Sequence, residues 1–279
     1  LLAGILLTGT LCGCTEKQES STAAESAAVS QAEESLAPVE LVQSDGKARV
    51  TIADGHFQVD GKPLWLCGTN TPWDNWDDIG GTFDADFWRE HFAALHEAGI
   101  NSSRVWILCS GDAGIRFGED GSVTGMSEKF WNHADQLMAI AAEQKIYIMA
   151  TMMSFDCCKT GNRNNKKFRA MIEDETLSQS YVDNYIIPFA KRYDSNDYLY
   201  SIDLCNEPDW IHENEESGKI DWKPLVTFFG KCAQRLVVPG IRAKDTDAGE
   251  LPLVKMKHPL QGCRQRNVLS GIVNHLQEA

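Results

Sequence analysis

The chain has 279 residues, 43% of them hydrophobic and eight of them tryptophan, enough to bury one large core or one domain with a tail. A formal net charge of −14 argues against nucleic acid or an anionic membrane face as partner, because both select for lysine and arginine. It suits a neutral ligand such as a sugar polymer.

The opening "LLAGILLTGTLCGC" is too short an apolar run to span a bilayer and reads as the core of a secretory signal. No Met and no basic segment precede it, so the sequence is expected to begin inside that signal. Leu11-Cys12-Gly13-Cys14 resembles a bacterial lipobox. Cys14 would then be the lipidated first residue of an exported protein that touches the cell-envelope membrane only through its anchor. An ordinary signal or a buried apolar start is the alternative. From Thr15 to about residue 45 the chain is rich in Glu, Ser, Ala and Gln, a composition that cannot bury enough surface to fold and is expected to be a disordered acidic tether. Cysteines 67, 109, 157, 158, 205, 232 and 263 show no C-x-x-C spacing, so no metal site is expected and most should be small core residues.

Past the tether, "HFQVDGKPLWLCGTN" places two short apolar runs around Asp60-Gly61, a hairpin signal. Leu64 to Thr69 reads as a strand. A helix follows from about Asp84 or Asp86, with Trp88, Phe92 and Leu95 on one face and Gly99 at its end. Ser102 to Leu108 is a second strand. Ser127 to Gln144 is a helix with Phe130, Ala134, Leu137 and Ala141 in line, and Ile146 to Met152 is a third strand, apolar on both faces. Leu177 to Tyr193 is helical, with Pro188 kinking it or marking a new start. Tyr198 to Asn206 is a fourth strand, and Lys223 to Leu236 a helix with Leu225, Phe229, Cys232 and Leu236 in line. Strands and helices that alternate in this way predict an α/β fold with a covered parallel sheet, either doubly wound or a (β/α)8 barrel. No Gly-x-Gly-x-x-Gly follows the first strand, which weighs against a nucleotide-binding version.

In a parallel barrel the site lies at the C-terminal strand ends. The residues there are Asn70 and Trp73, Arg104 and Trp106, Ser154 and Asp156, then Asn206, Glu207 and Trp210. Indoles stack on sugar faces, amides bond hydroxyls and a carboxyl protonates a glycosidic oxygen, so this set suits a carbohydrate. A structural acid for Arg104 and core tryptophans would account for the same residues.

Asn206-Glu207-Pro208 at the end of a fourth strand, with Arg104 on a second, resembles glycoside hydrolase family 5, over roughly residues 50–236. "GTNTPW" and "SRVWI" are most similar to its mannanase-type branch. The resemblance implies a (β/α)8 barrel, of which about the first four βα units are present, and a retaining endo-β-1,4-glycanase acting on mannan first and cellulose second. It implies Glu207 as acid/base, Asn206 on the sugar 2-hydroxyl, Arg104 supporting the nucleophile carboxylate, and Trp73 lining the cleft. Asn70, Trp106 and Trp210 complete the expected substrate-binding set. No cofactor is implied. Ser154-Phe155-Asp156 departs from the cellulase-type branch, which often carries a His there.

The retaining mechanism needs a second carboxylate ~5 Å from the first. In the family it ends the seventh strand, which at about 46 residues per βα unit would fall near position ~343, past the last residue given. Residues 237–279 lose the strand–helix alternation and carry six Lys or Arg against four Asp or Glu, so a frame change or misjoined end after Leu236 is the expectation. The chain as given is therefore expected to be an inactive fragment. A non-catalytic glycan-binding surface lipoprotein is the alternative. Of the smaller features, Asp74 to Asp78 reads as a solvated loop, Gly118 to Gly125 as a turn, and Lys159 to Lys167 as an exposed basic loop.

Overall fold

The structure, a computed structural model, describes residues 36–53 and 55–236. The signal segment with Cys14, the tether through residue 35 and the tail from residue 237 lie outside the described residues. Contacts with the body begin inside the stretch expected to be a free tether. Asn132 Nδ2 donates to Ala37 O at 2.7 Å, Leu41 packs against the core, and Ser44 N donates to Ser195 O at 3.0 Å. None of the described helices is long and apolar enough to cross a membrane.

A small antiparallel sheet comes first, from β1 (Val50–Ala53), β2 (His56–Val59) and β3 (Lys62–Pro63), with Val59 opposite both Val50 and Lys62. Asp60 and Gly61 turn it at φ 51° and 69°, the two left-handed residues that a tight hairpin requires. β4 (Gly68–Asn70) is shorter than the strand expected from Leu64. Leu64 N still bonds back to Phe57 O at 2.8 Å, and the Asn101 side chain holds Trp65 O and Cys67 N at 2.8 and 2.9 Å. Residues 64–67 are thus committed to the hairpin and to the next strand's entry before β4 begins.

α1 (Ala85–Glu97) starts at Asp84, whose carboxylate accepts from Asp86 N and Phe87 N, and it buries Trp88, Phe92 and Leu95 as expected. β5 (Ser102–Trp106) follows. Of the Gly118–Gly125 stretch, residues 118–122 form the expected turn, and Val123–Gly125 already belong to a strand. β6 (Ile115–Phe117) pairs antiparallel with β7 (Val123–Met126), and Asp120 caps the turn through Ser122. α2 (Glu128–Gln144) begins at Ser127, whose hydroxyl accepts from Phe130 N at 3.0 Å, and it leads into β8 (Tyr147–Thr151).

A short 3-10 turn (Phe155–Cys158) precedes α3 (Asn165–Glu173) and α4 (Glu175–Tyr181). The chain then widens into a π turn at Val182–Ile186 before α5 (Ile187–Arg192), where Ile187 N reaches back to Val182 O. Pro188 is the cause: it has no N–H to donate and its ring crowds the preceding turn, so the helix restarts around it. β9 (Leu199–Asp203), α6 (Asp209–Glu213), a 3-10 turn (Glu215–Ser217) and α7 (Trp222–Leu236) complete the described chain.

β4, β5, β8 and β9 lie side by side in that order, every pair parallel. Strands that follow one another without a reversal of order are four βα units of a (β/α)8 barrel. A doubly wound sheet would switch direction partway. The apolar core runs through the helices and β-strand faces, with Phe92, Phe130, Leu137, Tyr181, Tyr185, Phe189 and Phe228 fully buried. Among the described residues, cysteines 109, 157, 158, 205 and 232 are buried, Cys67 is exposed, and these six are free thiols, while Cys263 lies outside them.

Candidate active site

Pairing register brings the expected residues together. Asn70 on β4 lies directly beside Arg104 on β5. Thr151 on β8 lies beside Asp203 on β9, and beyond the strand ends Ser154 bridges Asn206. In a barrel, inward side chains from alternate strands meet in one layer. Arg104 and Asp203 do so across β8: Arg104 Nε and Nη2 donate to Asp203 Oδ2 at 3.0 and 2.5 Å, and Thr151 Oγ1 donates to the same oxygen at 3.0 Å. Asp203 is buried, and its charge is offset by a guanidinium that stays partly open to the cleft.

The remaining Arg104 nitrogen orients the amides. Nη1 donates to Asn206 Oδ1 at 3.2 Å and to Asn70 Oδ1 at 3.3 Å. With its oxygen turned to Arg104, Asn206 points its NH2 group at Glu207, where Nδ2 donates to Oε2 over 3.5 Å. The Asn206 peptide is itself clamped, its N bonded to Met153 O at 2.9 Å and its O to Phe155 N at 3.1 Å. Glu207, past the end of β9, turns the chain with φ at 47°, a left-handed conformation costly for a side chain with a Cβ. That turn leaves the Glu207 side chain exposed beside a buried Asn206.

Tryptophans flank the mouth on two sides. Trp73 stands edge-on to Trp106 at 4.9 Å and to Trp76 at 4.3 Å, and the Arg104 guanidinium lies 5.8 Å from the Trp106 ring. Trp106 is buried and its Nε1 has no partner among the described residues. The exposed indole of this cluster is Trp76, at 43%, a residue the sequence reading passed over. A Trp three residues after Trp73, in the loop that ends the first barrel strand, was the available signal. Trp210 belongs to the opposite side, at the β8 and β9 ends. It is 46% exposed and stacked on Phe155, with centroids 5.5 Å apart.

The loop that carries Trp73 and Trp76 is anchored rather than freely solvated, which corrects the reading of Asp74 to Asp78. Asp78 is buried, and its carboxylate accepts from the backbone N–H groups of Cys109, Ser110, Gly111, Asp112 and Ala113 at 2.6–3.1 Å. Acidic residues in a row look alike in sequence, and only the fold shows which one the next loop wraps. The Lys159–Lys167 stretch is likewise not a wholly exposed loop, since its last three residues begin α3 and Asn164 is buried and donates to Gly111 O at 2.8 Å. Burial pushes the Asp156 carboxyl up, against the Ser154 hydroxyl that donates to it at 2.7 Å and the nearby Lys159. No group of three or more His, Cys, Asp or Glu is placed to hold a metal among the described residues.

No family model matches the chain. It is similar to the mannan endo-1,4-beta-mannosidases of Mytilus edulis and Cryptopygus antarcticus, 23% identical over 172 and 163 residues, or 58% and 55% of this chain. Those stretches are 45% and 41% of the two relatives, so the chain spans less than half the length of the curated proteins it matches. Among solved structures it resembles the β-mannanase of the blue mussel Mytilus edulis, with a TM-score of 0.57 at 19% identity over 68% of this chain and 60% of that one. The β-1,4-mannanase of the sea hare Aplysia kurodai gives 0.57 at 23% identity, over 67% and 60%. These likenesses agree with the strand order above, and the fold is that of a partial (β/α)8 barrel.

Proposed function

We propose that this chain carries the acid/base side of a retaining endo-β-1,4-glycanase site of the family 5 type, with mannan as its first substrate and cellulose as its second. One observation carries the reading. Arg104 fixes the Asn206 amide so that its NH2 faces a Glu207 whose left-handed turn leaves it exposed at the strand ends. Glu207 donates its proton to the leaving glycosidic oxygen and later takes one from water, while Asn206 holds the sugar 2-hydroxyl. The similarity to mannan endo-1,4-beta-mannosidases supports mannan as the polymer.

The nucleophile carboxylate is expected outside the described residues. Within them Arg104, the residue matched to nucleophile support, is already paired with Asp203. That pairing favours a second reading, a protein that binds β-linked glycan through this cleft without cleaving it. The experiment is reducing-end release from mannan by the full-length protein, wild type against Glu207→Gln. A loss of ~10²–10⁴-fold in turnover with binding retained is expected, because the amide keeps the shape and has no proton to transfer. Equal turnover would rule out Glu207 as the acid. Cys14 is proposed as the lipid anchor that holds the exported protein at the cell envelope. Cys14→Ser should move the protein from the membrane fraction to the soluble one, and an unchanged distribution would contradict it.

A further inference from the structure

We infer that the groove beyond Trp210 receives the leaving-group side of a neutral β-linked glycan and rejects glycans that carry carboxylates, an inference that rests on the glycanase reading of Glu207. The groove is lined by Trp210, Glu213, Asn214, Glu215, Glu216 and Lys219 and holds about 550 Å³, within the ~300–1,000 Å³ of small-ligand clefts. It starts one turn past the proposed acid, where Trp210 N donates to Glu207 O at 3.0 Å.

Its floor and rim are preformed. Phe155 backs the Trp210 indole at an interplanar angle of 29°, leaving the other face to solvent as a flat apolar platform. The rim is held from three directions. Asn214 Oδ1 accepts from Glu216 N at 2.9 Å, Thr160 N donates to Glu216 O at 2.6 Å, and Ile220 N donates to Ile211 O at 3.0 Å. A platform that need not be ordered on binding keeps more of its contact energy as affinity.

The chemistry of the rim selects the occupant. A single half-exposed indole ringed by carboxylates and an amide has no apolar walls for a peptide side chain. It does offer one stacking face and several acceptors for hydroxyl donors, the pattern a sugar presents. The rim mixes both signs and is negative on balance, with Glu213 its one carboxylate in no ion pair among the described residues. Glu213, Glu215 and Glu216 face a groove whose own cation, Lys219, is engaged by Glu215 at 2.8 Å, and Lys159 lies 3.7 Å from Glu216 at the edge. A sugar bearing a carboxylate would meet this rim with like charge, so selection works by repulsion as well as by fit.

The test titrates the full chain, carrying Glu207→Gln to prevent turnover, with two hexasaccharides of the same linkage: β-1,4-mannohexaose and β-1,4-mannuronate hexamer. Calorimetry should show mannohexaose binding about tenfold or more tighter than the uronate. Trp210→Ala should weaken mannohexaose about tenfold or more. Trp210→Leu, which keeps bulk on Phe155, should weaken it too, and it serves where alanine lowers the unfolding temperature. The double change Glu213→Lys with Glu216→Lys, both at exposed positions, should close the gap between the two sugars. Failure of the parent to bind mannohexaose, equal binding of the two sugars, or binding indifferent to both Trp210 changes would each overturn the inference. Binding as expected with no hydrolysis by the full-length protein carrying its native Glu207 would instead count against the glycanase reading and leave the groove standing.

Discussion

Glu207 occupies a backbone conformation that its residue type resists, and its neighbours supply what holds it there. The peptide before it is bonded on both sides to residues 153–155, and its own carbonyl starts the turn that carries Trp210. A left-handed φ costs a residue with a Cβ ~1–2 kcal/mol and costs glycine little. Glu207→Gly should therefore be more stable than Glu207→Ala by about 1 kcal/mol in denaturant unfolding. Equal stabilities would mean the turn relaxes. Asp203 makes a second residue-scale prediction. Removing it strands a partly buried guanidinium, so Asp203→Ala should cost about 3 kcal/mol. A loss near zero would show that water or another acid takes its place. The Asn-Glu-Pro tripeptide and Arg104 were legible in the sequence because strand-end context marks them. Asp203 and Trp76 were not singled out, since a strand acid and a loop indole show their roles only once neighbouring strands set the register.

The helices were the most readable elements. Asp84 and Ser127 stand where an N-cap is needed, and apolar residues recur at helical spacing behind them. What sequence missed are features made by contact between segments: the β6–β7 strands around a glycine-rich turn, and the Asp78 carboxylate that gathers five N–H groups from another loop. Asp78→Asn puts an amide NH2 among those donors and should destabilise the protein by about 3 kcal/mol. A change under 1 kcal/mol would mean that the loop carries its own structure.

α2 holds a pH-sensitive group. His133 is buried against Phe83, with ring centroids 4.9 Å apart and Nδ1 without a hydrogen-bond partner among the described residues, and burial, helped by Lys129, lowers its pKa to about 4. In the unfolded chain a histidine titrates near ~6.5, so between about pH 4 and 6.5 the unfolded state binds the extra proton. Stability should thus fall as the pH drops through that window and be level above it. His133→Phe, which preserves the stack, should flatten this part of the curve. A slope unchanged by the substitution would assign it to other groups.

Across the whole molecule, the order of strands and helices could be read from periodicity, because each βα unit repeats the same pattern of continuous apolar strand and amphipathic helix. Closure of the sheet could not. Among the described residues β4 and β9 each have a neighbour on one side only, and Trp65, beside β4, is 83% exposed. Open parallel edges beside a bare indole favour self-association, so the 279-residue chain should scatter light as oligomers, and Trp65→Lys should reduce that scattering. A monomeric parent would show the edges to be covered. The proposed glycan site lies at the C-terminal ends of β5, β8 and β9, between the Trp73–Trp76–Trp106 cluster and Trp210. Hydrogen exchange of the full chain with and without mannohexaose tests this most directly. Slowed exchange in residues 70–76, 104–107, 153–156 and 203–213, with the β1–β3 hairpin unaffected, is the expected result. Protection confined to the hairpin end, or no protection at any concentration of the sugar, would contradict it.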